Sequence, residues 1–128
     1  MTGPTIDAIG VVARDMATTV AFYRRVGVPL PEGAEAEEHV EAPLGAGVRL
    51  MIDTEESVRG VYADFTGAPG ERVAFAARLD SPAAVDALYA ELAADGFGLR
   101  EPWDAPWGMR YATVCDSDGV AVDLYAPA

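Results

Sequence analysis

The chain repeats a plan: a strand, a capping residue and an amphipathic helix occur twice, roughly 65 residues apart, and few folds accommodate such a repeat in so short a sequence. In the first copy, residues 6–13 predict a mostly buried strand with Ile9 and Val11 on one face and Ala8, Gly10 and Val12 on the other. Asp15 then stands where a helix N-cap belongs, Val20 and Tyr23 mark the apolar stripe, and Gly27 ends the helix. In the second copy, residues 72–79 alternate Val73, Phe75, Ala77 and Leu79 against Arg72, Ala74, Ala76 and Arg78. Ser81 is the expected N-cap, Pro82 fits the first helical position, Val85, Leu88 and Leu92 form the stripe, and Asp95-Gly96 closes it.

Each copy ends in an alternating strand, at 48–53 and 120–125, and Asp116-Ser117-Asp118-Gly119 predicts a hairpin turn before the second of these. Shorter strands are expected near 28–31 and 37–43 in the first half, and near 97–102 and 109–115 in the second. The fold class is therefore α+β: two β-α-β-β-β modules in tandem, about 5–53 and 71–126, with 54–70 as the link, all within one domain of residues 1–128. The link carries Tyr62 and Phe65, so part of it should pack.

At 128 residues the chain is long enough to bury a core without staples. Nine Lys+Arg against 21 Asp+Glu give a formal charge of -12, a field that repels phosphate backbones and anionic lipids. Nucleic acid and membrane surfaces are excluded as partners. With one cysteine, Cys115, neither an intrachain disulfide nor a Cys-based zinc site can form, and a reducing cytoplasm is the expected compartment. The amino terminus has no signal-peptide pattern, and no apolar run reaches membrane-spanning length.

The segment Asp7-Ala8-Ile9-Gly10-Val11-Val12-Ala13-Arg14-Asp15 with Ala21-Phe22-Tyr23-Arg24-Arg25-Val26-Gly27 forms one motif. Trp107-Gly108-Met109-Arg110-Tyr111-Ala112 with Asp116-Ser117-Asp118-Gly119-Val120-Ala121-Val122-Asp123-Leu124-Tyr125 forms the second. In this order the two resemble the vicinal oxygen chelate superfamily, which contains glyoxalase I, extradiol dioxygenases and bleomycin-resistance proteins. The resemblance spans nearly the whole chain and implies paired modules whose curled sheets enclose a cleft. It also implies a homodimer, because such modules pair within or between chains and their open sheet edges need cover.

Metal-dependent members use His or Gln on the first strand of each module and Glu on the last. The resemblance places Ala8, Arg72, Met51 and Asp123 at those positions. Alanine and methionine supply no hard donor, and a guanidinium opposes a cation, so only Asp123 could ligate and no metal or other cofactor is expected. His39, in the acidic stretch 35–41, reads as a solvated edge-strand residue outside any ligand set.

The resemblance points Arg72 and Asp123 into one cleft, where two readings stay open. Arg72 binds a ligand's carboxylate or phenolate, with Asp123 orienting it or serving as the one candidate catalytic base; or the two merely neutralise each other. Trp103, Trp107 and Tyr111 form an aromatic segment between strands, suited either to stacking a planar ligand or to closing the sheet. Met51, Tyr62 and Arg49 could complete the wall, and Arg78 could add positive field. Cys115 lacks a neighbour that would activate it, Asp116 and Asp118 lack the rest of a calcium loop, and no nucleotide fingerprint follows any strand. The reading is a metal-free binding protein for a planar, aromatic small molecule, as in the drug-sequestering branch conferring antibiotic resistance. The alternatives are a glyoxalase- or dioxygenase-like lyase or isomerase, and a regulatory or partner-binding module with a vestigial cleft.

Overall fold

The computed structural model describes residues 3–115 and 119–128, which form two compact units. The first unit is Ala8–Val73; the second is Ala74–Ala128 together with residues 3–7. The Asp116-Ser117-Asp118 part of the expected hairpin turn lies outside the described residues.

In the first unit, β1 (Thr5–Ala13), most of which belongs here, is followed by α1 (Met16–Arg25), β2 (His39–Gly45), β3 (Val48–Thr54) and α2 (Glu55–Val61). β1 runs parallel to β3 and β2 antiparallel to it. Asp15 occupies the N-cap of α1, but its carboxylate accepts from the Thr18 hydroxyl rather than from a backbone N–H. Gly27, at φ 99°, ends the helix in the left-handed region that a Cβ disfavours. Alternation sends Ile9, Val11 and Ala13 from β1, Leu50 and Ile52 from β3, and Val40 and Ala42 from β2 into one core with Met16 and Val20. Ile52 and Val20 are fully buried, and truncating such a residue to Ala costs about 2–5 kcal/mol.

Two expectations about this half are corrected. No strand forms at 28–31: Pro29 and Pro31 have no N–H to give a ladder, and the Leu30 N–H closes a tight turn onto the Val28 carbonyl instead. The unit is therefore β-α-β-β. The segment 54–70 belongs to this unit and opens with α2, whose N-cap Thr54 accepts from Ser57 N–H at 3.1 Å. Glu55 and Glu56 sit favourably in its first turn.

The second unit keeps the expected plan, with β4 (Val73–Arg78), α3 (Pro82–Ala94), β5 (Gly98–Ala105), β6 (Met109–Cys115) and β7 (Ala121–Pro127). β4 lies parallel to β7, and β7-β6-β5 continue antiparallel. Ser81 caps α3 by accepting from Ala84 N–H at 3.1 Å, with Pro82 in the first turn. Ala77, Leu124, Ala112 and Val114 pack under Val85, Leu88, Tyr89 and Leu92 of α3. The opposite face is left for the alternating residues of the same strands. Among the described residues no helix is long and apolar enough to cross a membrane.

Candidate functional site

The face of the second unit turned away from α3 carries its chemistry. Register sets it: Tyr125 pairs with Tyr111 and Asp123 with Thr113 across β7 and β6, while Tyr111 pairs with Trp103 across β6 and β5. Residues directly opposite each other project to the same side, so Tyr125, Tyr111 and Trp103 form one row and Asp123 and Thr113 the next. A register shift in β5 between Arg100 and Trp103 places Arg100 opposite Thr113, adding an arginine to that second row.

The rings form a continuous run. Trp103 and Trp107 meet edge to face at 5.7 Å between centroids, Trp107 and Tyr111 likewise at 5.1 Å, and Tyr111 and Tyr125 tilt at 6.0 Å. Each edge-to-face pair is worth about 0.5–1.5 kcal/mol beyond its buried area, so the rings brace one another. Trp107 remains 43% exposed in the turn after β5, while Tyr125 is buried. Trp103 lies within β5 rather than in a loop, and a strand holds it more rigidly than the loop expected for both tryptophans.

Asp123 is half-buried beside this run and accepts two hydroxyl hydrogen bonds, from Thr113 at 2.9 Å and from Tyr111 at 3.1 Å. Thr113 is fully buried. Tyr125 donates to Asp7 at 2.7 Å, tying the start of β1 to β7. Sequence reasoning missed Thr113 and Tyr125. Alternation along β6 and β7 marks their face, but only the register shows that Thr113 meets Asp123.

The structure thus brings together four of the candidates, Asp123, Trp103, Trp107 and Tyr111, in one unit; Arg72, Arg49, Met51 and Tyr62 lie in the other. Arg72 precedes β4 instead of standing on it, as the end of a short turn of 3-10 helix at Pro69–Glu71. Its ion-pair partner is Glu55, at 2.6 Å, where Asp123 was the expected one. The same guanidinium donates to the carbonyls of Gly67 at 3.0 Å and Val12 at 3.2 Å, so it spans three segments of its unit. Arg72 and then Arg59 hold the Glu55 carboxyl below the ordinary carboxylate range. The groove of about 390 Å³ beside Arg72 is lined by Arg14, Asp15, Thr18 and Thr19, with no aromatic wall for a planar ligand.

Arg49, Glu41, His39 and Asp53 make a second polar row, on the face of β2 and β3 away from α1. Arg49 pairs with Glu41 at 3.1 Å, and His39 lies 2.7 Å from Glu41 through Nε2 and 2.6 Å from Asp53 through Nδ1. His39 is exposed on the edge strand β2, as expected, and is also clamped: the Asp53 hydrogen bond above all, opposed by partial burial and helped by Glu41, pushes its pKa up to about 9. Met51 is half-buried on the same face, and Tyr62 ends α2 with its N–H on the Val58 carbonyl at 2.7 Å. Arg78 is exposed at the end of β4.

The donor set does not suit a divalent ion. On β4, the residues facing β7 across the register are Ala74 opposite Ala121 and Ala76 opposite Asp123, and Ala8 of β1 is opposite Arg49. Both nitrogens of His39 are directed at separate carboxylates, which therefore do not converge with it on one point. Among the described residues no group of three or more His, Cys, Asp or Glu is placed to hold a metal.

Paired strand-helix repeats, each with polar residues on the face away from its helix, define a known architecture. The family model of the glyoxalase/bleomycin resistance protein/dioxygenase superfamily matches residues 5–124, and the chain belongs to that superfamily. It is similar in structure to a hypothetical protein from Bacillus halodurans, with TM-score 0.68 and 18% identity over 99% of this chain and 96% of that one. It is also similar to two methylmalonyl-CoA epimerases. That of Mycobacterium tuberculosis has TM-score 0.59 and 20% identity over 96% and 87% of the two chains. That of Streptomyces coelicolor, solved in complex with 2-nitronate-propionyl-CoA, has TM-score 0.56 and 25% identity over 99% and 96%. No curated protein matches the chain in sequence.

Proposed function

We propose that this protein binds a planar, partly polar small molecule without a metal ion, on the aromatic face of its second unit. The observation that carries the reading is the run Trp103-Trp107-Tyr111-Tyr125 laid directly against Asp123. Rings supply large contact area at low ordering entropy, and one fixed carboxylate supplies orientation, the usual division of labour in a small-molecule site. Asp123 is the polar anchor because it stands on the strand beside the rings, whereas Arg72 lies in the other unit, on Glu55, Gly67 and Val12. Sequestration of a drug or natural product is the biological role in keeping with this chemistry. The assembly is a homodimer, with β2 and β5, the edge strands of their units, in need of cover; sedimentation showing only monomer at micromolar concentration would refute it.

The similarity to the two epimerases favours a second reading, an isomerase in which Asp123 removes a proton from bound substrate as general base. Fluorescence titration in the presence of chelator, with a library of bicyclic and tricyclic aromatics, tests the binding function. Binders should quench tryptophan emission and lose about 1–3 kcal/mol of affinity in Trp107→Ala. A library in which no binder depends on Trp103 or Trp107 overturns the site. Solvent-deuterium incorporation into a bound compound, abolished in Asp123→Asn, would establish the isomerase reading instead.

A further inference from the structure

Resting on the homodimer reading above, we infer that the second copy docks on the face of α1 turned away from its own core, the two α1 helices packing antiparallel about a two-fold axis. α1 is apolar on two sides. Met16 and Val20 are buried and Tyr23 packs against their core, while Ala17, Ala21, Phe22 and Val26 are exposed to solvent. Val26 at 63% and Phe22 at 57% are the most exposed large apolar residues among those described, and they stand four apart, on one side of the helix. The Phe22 ring meets that of Tyr23 edge to face at 5.1 Å and is otherwise open. A surface helix normally buries a single stripe, and neighbouring exposed apolar residues mark a contact surface.

The occupant follows from the way this face complements itself. Beside the Phe22 ridge runs a shallow groove of about 500 Å³, lined by Ala17, Thr18, Ala21, Phe22 and Arg25. Its two alanines leave room for a ridge of the kind that Phe22 makes. Charge repeats the pattern from end to end. Arg25, in the last turn, is exposed and its guanidinium is in no ion pair among the described residues, whereas Arg24 beside it is held by Glu35 at 3.0 Å. Asp15, exposed at the other end, accepts from the Thr18 hydroxyl, and a carboxylate has further acceptor sites.

One register satisfies both. Residues 15 and 25 are about 15 Å apart along a helix axis, so antiparallel helices centred on residue 20 set Arg25 beside the partner's Asp15 and Phe22 beside the partner's Thr18, in the groove. A parallel arrangement would set each Arg25 against its twin. Two-fold symmetry makes every contact twice, and antiparallel helix dipoles complement each other. Met16–Arg25 contains no acidic residue, so a chain of formal charge -12 presents here a surface without the repulsion its acids impose elsewhere. One helix pair buries less than a standard interface of about 1,200–2,000 Å², which makes the expected dimer a weak one, dissociating in the micromolar range.

Sedimentation across the micromolar range, in physiological salt, tests the surface. Wild type should show a reversible monomer-dimer equilibrium. Phe22→Glu should weaken it at least tenfold and Arg25→Asp severalfold. Asp15→Arg combined with Arg25→Asp should recover the Arg25→Asp loss, because the swap forms both ion pairs again, a rescue that damage to the helix would not produce. Leu44→Glu, exposed on the edge strand β2, should leave association within about twofold. A covalent trap gives a second readout, since Ala21 lies next to the proposed axis, within disulfide reach of its twin. Ala21→Cys in a Cys115→Ser chain should form a linked dimer in oxidised glutathione much faster than Ala87→Cys, on the exposed side of α3. Wild type that sediments only as monomer refutes the homodimer and the inference together. A dimer that Phe22→Glu leaves intact, or that Leu44→Glu dissociates in its place, keeps the homodimer and overturns the α1 surface, as does Ala21→Cys that links no faster than Ala87→Cys. Phe22→Glu and the cysteine pair decide the surface even if Asp15→Arg costs α1 its cap and the swapped chain does not fold.

Discussion

Thr113 and Asp123 stand directly opposite each other on β6 and β7, and the buried hydroxyl donates to the half-buried carboxylate at 2.9 Å. A threonine with no exposure to solvent thus spends its one donor on the acid of the candidate site. Removing that donor leaves the carboxylate with a lost hydrogen bond in a partly desolvated place. Thr113→Val should cost about 1–3 kcal/mol in denaturant unfolding, and Thr113→Ser distinctly less. Equal stability of Thr113→Val and wild type would show that the bond contributes nothing net.

Gly98 opens β5 where the strand presses on α3. A Cβ built there would lie 2.7 Å from the Tyr89 hydroxyl oxygen and 2.9 Å from the Ala93 Cβ. Gly98→Ala should destabilise the protein by about 1–3 kcal/mol through overpacking. Tyr89→Phe in the same chain should recover part of the loss, because it deletes the closer of the two atoms. Thermal denaturation of the single and double variants separates steric crowding from any change in backbone entropy.

His39 gives the stability a pH dependence with a definite sign. Its folded-state pKa, about 9, lies above the ordinary value of 6.5, so the folded chain holds the proton more tightly than the unfolded one. The contribution is complete below about pH 6.5 and is lost as pH rises through about 9. The urea midpoint should fall across that window in wild type and flatten in His39→Gln. The one imidazole in the chain is readily followed by NMR, and its titration should move down in Asp53→Asn.

Arg72 should behave as a strut. Arg72→Ala removes one of the three arginines paired with Glu55 and the donor to two backbone carbonyls, and should lower Tm by several degrees. Arg72→Lys should recover only part, because an ammonium cannot reproduce a planar fork that bonds three segments at once. Full recovery by lysine would reduce the role to simple charge neutralisation of Glu55.

The repeat, the caps and most strands were legible because they are local. Ser81 with Pro82, the glycine at the end of α1, and the alternation of Val73 to Leu79 each express a backbone preference or a period within one turn or one strand. Where two local signals competed, reading the chain failed. Residues 28–31 are apolar enough for a strand, but Pro29 and Pro31 remove the N–H groups that a ladder needs. Residues 54–70 read as a link between the modules, yet Thr54 and the two glutamates after it are a helix start.

The sequence by itself determined the α+β class, the two halves and the residue types available for chemistry, since these follow from periodicity and composition. Of the positions that the resemblance assigns to metal ligands, it leaves Asp123 as the single possible donor. Which residues share a site was decided by tertiary structure. Sheet register put Thr113 on Asp123 and Trp103 on Tyr111, and the loop after α2 turned Arg72 toward Glu55. The physical reason is that hydrogen-bond partners across strands are set by which residues stand opposite, and a slip of one residue turns every side chain to the other face. No local preference along a single strand encodes that choice; it emerges only when both faces of the sheet are packed together.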